Sequence, residues 1–186
     1  IGQNLRHSAK ELTSGYTREL PAIMVREAIA NAKDAIAVKG QHGRIHVDIN
    51  DDGFTISDNG NGMSRDELET VFSDLHSSGK TDDPDATGGK GIGKATYMLG
   101  GEHFKVTTVK EINGKKIRTT MEGTPEDFME HVDVKEEVVP DSTETFTSIT
   151  TKFTPDQVKA MAGTYARNMY RDIQSNSRDL PGHLGK

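Results

Sequence analysis

One stretch constrains the chain more than any other: Arg26-Glu27-Ala28-Ile29-Ala30-Asn31-Ala32-Lys33-Asp34-Ala35-Ile36. At helical spacing Val25, Ala28, Ile29, Ala32 and Ile36 gather on one apolar face, and Arg26 and Lys33 share a second that points to water. Glu27, Asn31 and Asp34 fall on a third face, flanked by Ile23, Met24 and Ala30 rather than by basic residues. Taken alone, such a face reads first as a solvated acidic stripe. It has a chemical reading as well. A carboxylate one turn before a carboxamide, with a second carboxylate three residues on, sets a proton acceptor, a neutral metal ligand and a hydrogen-bond acceptor in a row. Pro21 suits a first helical turn, so the helix is expected from Leu20 to Val38, stopping at Gly40.

The chain then alternates from Arg44 to Asn50, with Ile45, Val47 and Ile49 on one side, and Asp51-Asp52-Gly53 supplies a hairpin turn. In the returning strand Phe54, Ile56 and Asp58 share a face, which puts the Asp58 carboxylate toward the helix, where burial is costly unless something donates to it. Asn59-Gly60-Asn61-Gly62-Met63 breaks the strand, and Ser64-Arg65-Asp66-Glu67 is a capping box for a helix expected to end near Leu75. His76 to Thr87 reads as a polar, mobile loop leading into Gly88-Gly89-Lys90-Gly91-Ile92-Gly93-Lys94, after which Ala95 to Leu99 is helical. Two strands flank Asn113-Gly114, a short acidic helix lies between Glu122 and Glu130, and strands follow over Val132 to Val139 and Thr143 to Phe153. Thr154-Pro155-Asp156-Gln157 caps a last helix whose apolar face is Val158, Met161, Ala162, Tyr165 and Met169.

A chain of 186 residues fits one domain, here residues 1–175 with a frayed tail from 176 to 186. It has no cysteine, which excludes disulfides, thiolate metal sites and cysteine nucleophiles and fits a reducing, cytoplasmic setting. Its longest apolar runs are too short to span a bilayer, and its seven histidines show no paired metal spacing. A net charge of −6 argues against a broad nucleic-acid surface. Starting at Ile1 rather than methionine, the sequence reads as a piece of a longer chain.

A glycine-rich turn entering a helix presents backbone N–H groups to phosphate, and Gly88 to Lys94 has this form with Lys90 and Lys94 adding charge. It is not a Walker A loop, because Ala95 stands where a magnesium-binding hydroxyl is required, nor a dinucleotide fingerprint, because Thr96 occupies the last glycine position. In order, however, Glu27-x-x-x-Asn31-Ala32-x-Asp34-Ala35, Asp58-Asn59-Gly60-Asn61-Gly62 and Gly88-x-x-Gly91-x-Gly93 resemble the N box, the Asp-x-Gly-x-Gly motif and the lid-hinge glycines of the GHKL superfamily. That superfamily comprises the ATP-binding domains of DNA gyrase B, heat-shock chaperones, histidine kinases and MutL. The match covers roughly residues 20 to 100 of this sequence.

The resemblance implies an α+β fold, a two-layer α/β sandwich in which helices cover one face of a mixed, mostly antiparallel sheet (the Bergerat ATP-binding fold). It implies ATP and Mg2+ as cofactors, with Asn31 as the magnesium ligand, Asp58 accepting from the adenine amino group, and Gly60 and Gly62 letting the base lie against backbone. Further nucleotide contacts would come from Asp34, Met63, Gly88, Gly89, Lys90, Gly91, Ile92, Gly93 and Lys94, and from a late-strand threonine that would fall near Thr147, where several threonines compete. Histidine kinases usually carry asparagine at the position of Glu27 and a basic residue at that of Asp34. Two acids here resemble the gyrase, chaperone, MutL and MORC branch, in which the glutamate polarises the attacking water. The expected function is therefore slow ATP hydrolysis with lid closure, the alternative being a nucleotide-binding switch or kinase-type module. The implied partners are ATP and ADP, an ATP-dependent homodimer or a downstream domain, no membrane, and nucleic acid only through regions outside this sequence.

Overall fold

In the computed structural model, which describes residues 20–78 and 97–161, the leading helix α1 spans Leu20–Ile36. Its apolar face is buried as the periodicity requires, while Arg26 and Lys33 are exposed. The helix ends before Val38 because the chain tightens into a 3-10 segment, Ala37–His42, within which Gly40 takes the left-handed φ of 54°.

Two hairpins supply most of the sheet. β1 (Ile45–Asn50) pairs antiparallel with β2 (Gly53–Asp58). The Asn50 side-chain oxygen closes their turn by accepting from the N–H groups of Asp52 (2.8 Å) and Gly53 (3.1 Å). β3 (His103–Ile112) and β4 (Lys115–Gly123) are joined by Asn113-Gly114, with φ of 53° and 79°, the positive pair that a type I′ turn demands. β5 (Val134–Val139) forms one edge, and β6 (Phe146–Lys152) inserts between the hairpins. The order is β1-β2-β6-β3-β4-β5, and each pairing among the described strands is antiparallel.

Three further helices carry the caps their sequences encode. α2 (Arg65–Ser78) opens on the Ser64 and Glu67 exchange: Glu67 N–H donates to Ser64 Oγ at 3.2 Å and Ser64 N–H to Glu67 Oε2 at 3.0 Å. It continues past Leu75, so His76 to Ser78 are helical rather than loop. Backbone hydrogen bonding is indifferent to side-chain polarity, and no glycine or proline intervenes before Gly79. α3 (Pro125–Glu130) and α4 (Pro155–Met161) begin at reciprocal caps made by Thr124 with Asp127 and by Thr154 with Gln157. The expected strands at Val132 and Thr143 start later, at Val134 and Phe146. Residues 1–19, the loop from Gly79 to Thr87, the glycine run Gly88 to Lys94, and Ala162, Tyr165 and Met169 of the last helical stripe lie outside the described residues.

These four helices address one face of the sheet. Leu68 of α2, Phe128 of α3 and the apolar face of α1 join Phe54, Ile56, Phe104, Val106 and Met121 in one cluster, with Val158 of α4 packed against it. Phe128 meets Phe104 edge-on at 5.2 Å between ring centroids. The opposite face carries a hydroxyl ladder, Ser57 to Ser148 at 2.8 Å and Thr55 to Thr150 at 3.0 Å. The architecture is a two-layer α+β sandwich. Among the described residues no helix is long and apolar enough to cross a membrane.

Candidate functional site

The helix-side face of the sheet holds two adjacent rungs of opposite character. One runs Val47, Ile56, Ile149, Val106, Met121, Val134 across β1, β2, β6, β3, β4 and β5, apolar at every strand. The next, two residues along each strand, runs Ile45, Asp58, Thr147, Thr108, Thr119, Glu136. Directly opposed residues of an antiparallel pair share a face. The second rung therefore buries the Asp58 carboxylate and three hydroxyls on the helical side, while Glu136 at the sheet edge is exposed. Where α1 crosses the start of that rung there is a cavity of about 450 Å³, lined by Asn31, Asp34, Asp58, Gly62, Met63, Tyr97 and Thr147 with apolar walls that include Ala28, Val38, Ile56 and Ile149.

Asp58 is only 7% exposed. Burial pushes its carboxyl up to about 6, against the pull of the Gly60 N–H, which donates to Oδ1 at 2.9 Å. Among the described residues that is the one hydrogen bond the carboxylate receives. A buried carboxylate with one donor is poorly compensated, and its surplus acceptor capacity faces the cavity.

The loop after β2 is shaped by glycine. A Cβ on Gly60 would stand 2.8 Å from the Ala35 carbonyl oxygen and from Asp58 Oδ1. At Gly62, with φ of 72°, it would be driven to 2.0 Å from the Val109 carbonyl oxygen. Protein backbone alone thus requires both glycines. The loop is further tied by Thr108, whose Oγ1 accepts from the Met63 N–H at 2.8 Å and also lies 3.0 Å from the Phe146 carbonyl and from Thr147 Oγ1. Thr147 stands directly opposite Asp58 in the β2–β6 register, which singles it out among the threonines of its segment.

On α1, Asn31 is half-buried and its Nδ2 donates to the Tyr97 hydroxyl at 2.8 Å. No partner among the described residues engages its Oδ1. Tyr97 is 4% exposed. Burial pushes its phenol up, the Asn31 hydrogen bond opposes that shift, and the charge of Glu27 adds to it. Glu27 is partly buried one turn before Asn31 and close enough to act on that phenol, while Asp34 is exposed at the cavity rim. The structure therefore brings Asn31, Asp34, Asp58, Gly62, Met63 and Thr147 to one cavity, with Gly60 just behind Asp58.

Tyr97 and Thr108 were not among the candidates read from the sequence. Tyr97 has a local signal, as the aromatic residue closing the helical turn after the glycine run. Thr108 has none, because its role depends on β3 lying beside β6. As for a metal, no cluster of three or more His, Asp or Glu exists among the described residues. The fit is of another kind. A neutral amide oxygen with no partner among the described residues, on a residue that lines the cavity, suits a hard cation such as magnesium when phosphates and water supply the remaining ligands.

Two comparisons bear on this geometry. Residues 19–154 match the family described as histidine kinase-, DNA gyrase B-, and HSP90-like ATPase. Over 81 residues the chain is 38% identical to the DNA mismatch repair protein MutL of Treponema pallidum (strain Nichols), a stretch that makes up 42% of this chain and 12% of that protein.

Proposed function

The chain belongs to the histidine kinase-, DNA gyrase B- and HSP90-like ATPase family, and from that premise we propose that it binds ATP with Mg2+ in the α1-side cavity and hydrolyses it slowly. The observation that carries the reading is Asp58, a buried carboxylate with a single donor among the described residues and spare acceptor capacity toward the cavity. An adenine amino group supplies the missing donor, and a charge-assisted hydrogen bond of that kind is strong in a desolvated site. Thr147, opposite Asp58, lies within reach of the same base edge, and the apolar walls receive the ring.

Asn31 lies on α1 at the other end of the row and would hold magnesium through Oδ1. When bound, the metal neutralises phosphate charge and acts as a Lewis acid at the phosphoryl oxygens. Glu27, one turn earlier on the same helix face, is placed to accept a proton from a water beside the terminal phosphate. Gly88 to Lys94 would receive phosphate oxygens on backbone N–H groups, and closure of the polar segment that follows α2 would be the conformational output. The nucleotide would also be the switch for association with a second copy or with a domain carried elsewhere in a longer chain.

Titration with a nonhydrolysable ATP analogue, with and without Mg2+, tests the pocket. Phosphate release from Glu27→Ala and Asn31→Ala separates chemistry from binding. Glu27→Ala should lose about 10²–10⁴ in turnover while retaining affinity within a few-fold, since a general base acts in the transition state. Asn31→Ala should lose magnesium-dependent binding itself. Wild-type turnover in Glu27→Ala would transfer the pocket to a binding switch or kinase-type module.

A further inference from the structure

We infer that Tyr97 is a positioning residue for the phosphate end of the site: its phenol fixes the Asn31 carboxamide with the nitrogen turned inward and the oxygen presented to the cavity. The inference rests on the reading of the cavity as a magnesium-nucleotide site.

The two ends of a carboxamide have nearly the same shape, so sterics alone leave Asn31 free to turn over, and only hydrogen bonding selects which atom faces a ligand. For a cation the difference decides the outcome: Oδ1 is a ligand, whereas an N–H is repelled. Tyr97 makes the choice because it is itself held at points independent of Asn31. Its carbonyl accepts from the buried Thr151 Oγ1 at 2.9 Å, and its ring packs against Phe104 with centroids 6.3 Å apart. Three residues on, the Gly100 carbonyl accepts from Gln157 Nε2 at 2.8 Å. Residues 97–100 are therefore anchored to β6 and to the start of α4, and the phenol arrives at α1 as a fixed point.

The direction of the hydrogen bond follows from the neighbouring charge. A phenol oxygen can donate or accept, whereas the Asn31 nitrogen can only donate, and the Glu27 charge acting on the phenol favours an O–H turned to that side. A lone pair is left for the Asn31 N–H at 2.8 Å. The arrangement couples the family's asparagine to the segment entered from the glycine run, so that one hydroxyl sets the metal ligand.

The test compares wild type with Tyr97→Phe, which keeps the buried ring and removes only the hydroxyl. Both proteins are titrated calorimetrically with a nonhydrolysable ATP analogue, first in chelator and then across a Mg2+ series, with melting temperature as the control on folding. The expected result is a loss of about 10-fold in apparent Mg2+ affinity, with metal-free affinity retained because the Asp58 end is untouched. In the free wild-type protein, NMR should show one Asn31 side-chain amide proton shifted by the phenol, a signature that Tyr97→Phe erases. Unchanged Mg2+ dependence in the variant would overturn the inference, as would an equal loss with and without metal, which is what a packing defect produces. If Tyr97→Phe does not fold, the wild-type amide signature decides, and an unshifted Asn31 signal rejects the inference. Failure of wild type itself to bind the analogue, or binding indifferent to Mg2+, would instead reject the reading of the pocket, and the inference with it.

Discussion

The apolar rung and the polar rung use the same six strands, lie two residues apart along each, and face the same helices, yet they do different work. In the first, Ile56, Val106 and Met121 are each 2% exposed and are stabilised by transfer from water, about 1.5–3 kcal/mol for each fully buried side chain. In the second, Asp58, Thr108, Thr119 and Thr147 are buried as well, and their polar atoms oppose folding wherever they lack partners. The partners are unevenly shared. Thr108 binds the loop and both residues of β6 near it, Asp58 has one donor, and Thr119 Oγ1 has no partner among the described residues. Satisfaction thus falls off on either side of Thr108: toward Asp58 it leaves acceptor capacity facing a cavity, and toward Thr119 it leaves a hydroxyl facing packed protein. The apolar rung holds the sheet to its helices, and the polar rung offsets part of that stability with polar groups, two of which line the cavity.

The largest expected separation comes from Met121→Ala, in the apolar rung but away from the cavity lining. A buried methionine cut to alanine costs about 2–5 kcal/mol, read as a lower denaturation midpoint with unchanged slope, while nucleotide affinity extrapolated to full folding should change far less. Comparable losses in both would show that the rungs do not divide the work.

Asp58→Asn should show the reverse pattern. Hydrogen bonds to charged groups contribute about 1.5–3 kcal/mol, so ATP affinity should fall by roughly one to two orders of magnitude, while the free domain at neutral pH keeps or gains stability. The same carboxyl makes the comparison pH-dependent. Its value in the fold, about 6, lies above its ordinary 3.8. The protonated group's contribution to stability is fully present below 3.8 and is lost as pH rises through about 6, so by this group alone the free domain weakens over that window and then levels off. Nucleotide binding runs the other way, because the adenine amino group needs the ionised form. Affinity should drop about 10-fold per pH unit below that value, and Asp58→Asn should flatten the profile. A wild-type affinity independent of pH between 5 and 7 would mean that Asp58 does not meet the ligand.

The smallest effects give the sharpest contrast, since one substitution on adjacent strands should change sign. Thr108→Val leaves the Met63 N–H without its acceptor and should destabilise by about 1–3 kcal/mol. Thr119→Val removes a hydroxyl that has no partner among the described residues and should be neutral or stabilising by up to about 1 kcal/mol. Equal changes in chemical denaturation would mean that the Thr108 network has no net value.

Much of this molecule was legible in its residues. The burial of Ala28, Ala32 and Ile36, the alternation that turned Asp58 inward, the Asn113-Gly114 turn and the caps at Ser64 and Thr154 all depend on chemistry within a few residues. Periodicities of 3.6 and 2, and side-chain bonds to nearby N–H groups, are local quantities that a sequence states outright. The ordered motifs identified the family for the same reason, since each is a short run in which backbone and side chain must agree.

Tertiary structure alone decided which distant residues stand together. Nothing near Thr147 distinguishes it from Thr143, Thr145, Thr150 or Thr151; the β2–β6 register does, by setting it opposite Asp58. Gly62 reads as a turn residue, yet its bareness is required by the Val109 carbonyl on β3. Tyr97 reads as a core aromatic, and its hydroxyl meets Asn31 only because Thr151 and Phe104 hold its segment beneath α1. Strand order and register arise from the summed packing of the whole sheet against its helices, a sum to which no single stretch contributes enough to reveal the outcome.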